Sequence, residues 1–188
     1  LKTAAIINRG MVAELLRDQL VTRCQAEPMQ TFSYNGSVET IDLTDACTVL
    51  ANWDLRYNND SVGAHIMREF NGDYPSSALT SGDVLFATPF DVADPINTPR
   101  DLAPADASGD GALKALGRGV LRLEDAGIAL GATLGSVQAT VKNGQKIPIH
   151  GGMEREGVTN KVDYGTFKST LDQGLERGDV INSASNLS

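Results

Sequence analysis

The chain has 188 residues, 41% hydrophobic and 21% charged, enough apolar material for a globular unit with a sizeable core. A formal charge of −8 and only 16 scattered Lys and Arg argue against a nucleic-acid partner, which needs clustered basic residues. Its apolar runs, such as 4–7 and 128–130, fall far short of the roughly 20 residues that cross a bilayer, and no charged-then-apolar leader is present in this numbering, so no membrane segment is expected.

Residues 3–25 carry Ala4, Ile7, Met11, Val12, Leu15, Leu16, Leu20 and Cys24 at three- and four-residue spacing, which predicts an amphipathic helix with Glu14, Arg17 and Asp18 facing water. Pro28 and the polar TFSYNGS segment end it and predict a loop, with a short extended stretch over 31–34. A second helix takes Leu43, Ala46, Cys47, Leu50 and Ala51 on one face, with Trp53 near its edge and Asp42 as N-cap. RYNND breaks the period before a short third helix bearing Val62, Ile66, Met67 and Phe70.

Between 71 and 108 the composition turns to Gly, Pro, Ser, Thr and Asp, and five prolines exclude long regular structure. This predicts a long irregular strap that runs over another part of a larger protein, because VLFATPF at 84–90 needs a surface to bury against. Gly109 or Asp110 opens a helix with Leu113, Leu116, Val120, Leu121 and Leu123, ended by Gly127. A β-hairpin follows, 137–142 and 145–150 flanking the type I′ pair Asn143-Gly144. A further extended run begins at Val162 and includes Tyr164, Thr166 and Phe167, and the final LERGDVINSASNLS reads as the start of a returning strand. The fold class is α+β in three stretches of one unit: 1–74 helical, 75–108 strap, 109–188 helix plus hairpin.

Few residues invite chemistry. Ser61 and His65 would face each other at i,i+4 on a helix beside Asp60 or Glu69, but there is no GxSxG elbow and Asp60 is adjacent in sequence rather than behind the imidazole. Capping and packing explain these residues better: Asp60 caps the third helix, Arg56 pairs with Asp54 or Asp60, and His65 is a hydrogen-bonded helix-face residue. His150 precedes Gly151 and Gly152, whose backbone admits a close neighbour while the imidazole satisfies nearby carbonyls. DASGDG at 106–111 has the start of a calcium loop, but position twelve is Gly117, which leaves a solvated helix start. Cys24 and Cys47 have no CxxC spacing; a disulfide worth on the order of 3 kcal/mol and two buried thiols are both open. No catalytic residue, cofactor-binding residue or metal-ligand set is assigned, and no cofactor is expected.

Four segments carry a family resemblance: ACTVLANWDLRYNNDSVGAHIMREF at 46–70, FDVADPINTPRDL at 90–102, KIPIHGG at 146–152 and GVTN at 157–160. The pattern in the first is Trp53-Asp54, Arg56, Asp60-Ser61, Gly63-Ala64 and Arg68-Glu69-Phe70. These resemble the later part of the β chain in the penicillin acylase (penicillin amidase) family, in its acyl-homoserine-lactone and aculeacin acylase-like branch. The resemblance implies a fragment of a larger αββα N-terminal-nucleophile hydrolase that cleaves a linear amide with a Ser freed at the start of the β chain. Leu1 offers neither hydroxyl nor thiol, so this portion is expected to be non-catalytic. Its implied partners are the remaining segments of the same acylase, the α chain and the N-terminal part of the β chain, while the parent binds an acyl-amide small molecule. A periplasmic or secreted parent is implied as well. The alternative is a stand-alone binding or structural module without enzymatic activity.

Overall fold

The computed structural model describes residues 8–79, 81–82, 84–143, 145–163, 181–182 and 184–185. Helix α1 spans Met11–Ala26 and buries Val12, Ala13, Leu16, Leu20, Val21 and Cys24. It starts later than the sequence period predicts, and residues 3–7 of the predicted helix lie outside the described part. The reason is local: Asn8 O accepts from Tyr57 N at 2.8 Å and Gly10 N donates to Leu55 O at 3.0 Å, so the backbone is already paired before Met11. Gly10 fits because a Cβ there would stand 2.6 Å from the Tyr57 ring.

After α1, the predicted loop is instead a hairpin. Strands β1, Met29–Tyr34, and β2, Ser37–Asp42, pair antiparallel from Met29↔Asp42 to Tyr34↔Ser37. Asn35 (φ 48) and Gly36 (φ 85) form its two-residue turn, both left-handed as a type I′ turn requires. Phe32 and Gln30 point inward. Asp42 then accepts from Thr44 N and Oγ1 at 2.9 and 2.6 Å, next to the start of α2, Thr44–Asn52, whose N-cap is Leu43.

Cys24 and Cys47 form a disulfide with Cα atoms 5.9 Å apart, which ties α1 to α2 and settles the two readings left open by the sequence. Arg17 does not face water. Its Nη1 donates to Leu50 O and Ala51 O at 2.9 Å each and to Trp53 O at 3.2 Å, capping carbonyls at the C-terminal end of α2.

Helix α3, Ala64–Gly72, is buried all round from Ala64 to Asn71. It crosses α4, Gly111–Asp125, closely, because a Cβ on Gly119 would meet Glu69 Cβ at 3.1 Å and Phe70 N at 3.2 Å. Asp110 caps α4 as expected, accepting from Ala112 N at 2.9 Å and Leu113 N at 3.2 Å. Gly127 (φ 71) ends it as expected: Gly127 N bonds Glu124 O and Ile128 N bonds Leu123 O, the paired bonds of a Schellman motif.

The strap is more regular than its prolines suggest. Strands β3, Phe86–Thr88, and β4, Arg100–Leu102, pair antiparallel around a loop closed by a cis Thr98-Pro99 peptide. Leu85, Phe86 and Leu102 are buried in this chain's own core, so part of VLFATPF finds its surface here rather than on another segment. Arg23 of α1 pins β4 by donating to Leu102 O at 2.8 Å and Ala103 O at 2.6 Å.

A short α5, Leu134–Val137, leads into β5, Gln138–Lys142, and β6, Gln145–Pro148, the predicted hairpin, with Asn143 at φ 52. Gly144 lies outside the described residues. Val162–Asp163 forms β7; β8, Ile181–Asn182, runs parallel to β5, and β9, Ala184–Ser185, antiparallel to β7. The expected returning strand thus appears at 181–182, while Tyr164, Thr166 and Phe167 fall outside the described residues. One apolar core draws on α1, α2, α3, α4 and the strap together, giving a mixed α+β unit.

Candidate functional site

Two of the motif-bearing stretches, 46–70 and 146–152, meet at the Arg68 side chain. Arg68 sits on α3 with 1% exposure, so its charge is out of water and must be met by fixed groups. Nη1 donates to Gln138 Oε1 at 2.5 Å, Nη2 donates to Gly151 O at 3.2 Å, and Nε stands 3.7 Å from Glu156 Oε2. The guanidinium also lies 5.7 Å from the Tyr57 ring centroid. Gln138 Nε2 donates in turn to Ile149 O and Gly151 O at 2.7 and 3.2 Å, locking the hairpin's exit onto α3.

Glu156 is fully buried, accepts from Met153 N at 2.6 Å and has the Tyr57 side chain beside it. Burial pushes its carboxyl pKa up, although Arg68, Met153 N and Tyr57 pull against it. The two glycines of the HGG sequence make this close approach feasible. A Cβ on Gly151 (φ 113) would lie 2.4 Å from Asn160 O, and one on Gly152 would lie 2.7 Å from Glu156 Oε2. Asn160, from the GVTN segment, donates to Asn8 Oδ1, and Asn8 Nδ2 donates to Asn58 Oδ1 at 2.8 Å.

A second charged cluster clamps α3 to α4. Arg122 donates to Glu69 Oε2 at 2.8 Å and to Asp73 Oδ1 at 3.1 Å, and Arg118 binds the same Asp73 through Nε at 3.0 and 2.8 Å. Glu69 is buried, and burial raises its carboxyl pKa against the pull of Arg122.

Ser61 and His65 are not brought together as a dyad. Ser61 precedes α3 instead of lying on it, and its Oγ donates to Asp54 Oδ1 at 3.1 Å while accepting from Asn58 N at 3.3 Å. His65 Nε2 bonds Ala129 O at 3.1 Å, as a helix-face residue would, and burial pushes its pKa down to about 4. Three other sequence expectations are corrected. Asp60 is exposed and does not cap α3; Gly63 opens the helix at φ 109, where a Cβ would stand 2.9 Å from Trp53. Arg56 pairs with neither Asp54 nor Asp60 among the described residues, and only its backbone N meets Asp54, at 3.0 Å. His150 is exposed and donates to no carbonyl among the described residues. At DASGDG, the Asp106 carboxylate is engaged by Ser108 N and Oγ at 2.7 and 2.6 Å.

Tyr57, Gln138 and Glu156 were not singled out by the sequence. A usable signal was present: an Arg-Glu pair inside the apolar run of α3 must find buried partners once both faces of that helix are covered.

These features define a mixed α+β segment whose motif residues build interior ion pairs and close backbone contacts. Residues 3–180 match the penicillin amidase family, and the chain belongs to that family. It is 34% identical over 155 residues to the aculeacin-A acylase of Actinoplanes utahensis, covering 82% of this chain and 18% of that protein. It is also 31% identical over 122 residues to the acyl-homoserine lactone acylase PvdQ of Pseudomonas syringae pv. syringae (strain B728a), covering 64% of this chain and 15% of that protein. The chain therefore spans less than a fifth of the length of these relatives.

Proposed function

We propose that this chain is a non-catalytic structural portion of an amidohydrolase that releases an acyl chain from a linear amide by N-terminal-nucleophile chemistry. The observation that carries the reading is the meeting of two family-like segments, 46–70 and 146–152, at the buried Arg68, whose guanidinium is held by Gln138, Gly151 and Glu156. Ser61, the hydroxyl best placed in sequence to act as a nucleophile, donates to Asp54 instead of to His65. Two acylases among the relatives support the reaction class. An exported, periplasmic or secreted setting fits the Cys24–Cys47 disulfide, because such bonds persist in oxidising compartments.

The test is hydrolysis of a chromogenic acyl amide by the full-length gene product, by its Ser61→Ala variant and by the 188 residues alone. We expect turnover by the first two at equal rates and none by the third. Turnover by the isolated chain that disappears in Ser61→Ala would overturn the reading.

A further inference from the structure

We propose that the loop between β3 and β4 is a pre-organised apolar knob that docks into segments of the same acylase outside these 188 residues, an inference that rests on the function proposed above. Val92 and Ile96 are 83% and 84% exposed, while the base of the loop is anchored by Phe86 and Leu102 at 0% and 2%. Apolar residues scattered singly on a surface are ordinary. Here two stand four positions apart on a loop whose backbone is held from within.

Thr98 is the clasp. Its Oγ1 donates to Asp94 O at 2.7 Å and accepts from Asp91 N at 2.9 Å, while its own N donates to Asp94 O at 3.2 Å. Asp91 Oδ1 accepts from Ala93 N at 2.8 Å, and Arg100 donates to Asn97 O at 3.0 Å and Ile96 O at 3.3 Å. Thr98 and several backbone carbonyls are thus tied within the loop, and Val92 and Ile96 stand out from it beside the exposed Asp91, Asp94, Asn97 and Arg100. A loop fixed before contact loses little freedom on docking, which favours association.

The occupant follows from extent and charge. The family match spans residues 3–180, a range that contains this loop. More than four-fifths of each relative lies beyond the matched stretch, so most of the surface that such a segment meets belongs to the same polypeptide. A second copy is disfavoured, because each copy carries a formal charge of −8 and the loop itself bears Asp91 and Asp94.

Single cysteines placed by Val92→Cys or Ile96→Cys in the full-length gene product, reacted with a fluorescent maleimide, test this. The native protein should label at least ~10-fold more slowly than the same protein in urea, since a docked thiol reacts only through local opening, and dilution should not change the rate. Native labelling as fast as in urea overturns the docking; so does protection that vanishes on dilution, which would place a second copy on the loop. Amide hydrolysis measured on the same preparation separates the two claims. Turnover with fast labelling removes the docking and leaves the acylase reading, whereas slow labelling without turnover keeps the docking and removes that reading.

Discussion

Arg68 and Glu156 meet at 3.7 Å with side chains 1% and 0% exposed, joining α3 to the turn before GVTN. A buried ion pair gains little over apolar packing, but removing one partner strands the other's charge in a low-dielectric interior. Arg68→Met should therefore cost about 3–5 kcal/mol by urea unfolding. Adding Glu156→Gln should recover part of that loss, because the second change removes the stranded carboxylate. A double variant as unstable as the sum of the single changes would mean the two residues act independently.

His65 makes stability depend on pH. Burial lowers its folded pKa to about 4, against an ordinary value near 6.5, so the unfolded chain binds the proton first. Its contribution is complete above about pH 6.5 and is lost as pH falls toward 4, up to about 3 kcal/mol for a shift of this size. Glu69 and Glu156 act with the opposite sign: their raised values stabilise the acid side and that contribution falls as pH rises. The difference between wild-type and His65→Gln unfolding curves isolates the imidazole. Parallel curves from pH 7 to 4 would remove the effect assigned to it.

The disulfide between α1 and α2 closes a loop across 23 positions. Replacing both cysteines by Ala should lower stability by about 3 kcal/mol through greater freedom of the unfolded chain. Dithiothreitol should shift the wild-type denaturation midpoint similarly, and an unshifted midpoint would show that the thiols are unpaired in solution.

Gly151 is the sharpest backbone test. At φ 113, with Asn160 O 2.4 Å from a would-be Cβ, Gly151→Ala combines backbone strain with a clash against main chain that has no rotamer to yield. We expect a loss of ~2 kcal/mol or more in thermal unfolding. Gly36→Ala, also at positive φ but with nothing within 4 Å, is the control that isolates strain from clash, and it should cost less.

Periodicity and punctuation carried much of the local structure. The apolar face of α1, the Asp110 cap, the Gly127 terminator and the Asn143-Gly144 hairpin were legible because each depends on neighbours within a few residues. The β1–β2 hairpin was legible in principle through Asn35-Gly36, but the polar alternation of SVETID hid it behind a loop reading. The resemblance likewise indicated the family from contiguous motifs.

What the sequence by itself determined is therefore what short-range chemistry encodes: the main helices, the Asp110 cap, the Gly127 stop, the second hairpin and family membership. Only the tertiary structure decided that Ser61 belongs to Asp54, that Arg17 crosses to α2, and that Arg68, Gln138, Gly151 and Glu156 share one buried cluster. Those partners lie up to 88 positions apart, and the pairing of a buried charge is fixed by which donors and acceptors the packed core leaves within reach, a property no local window of residues contains.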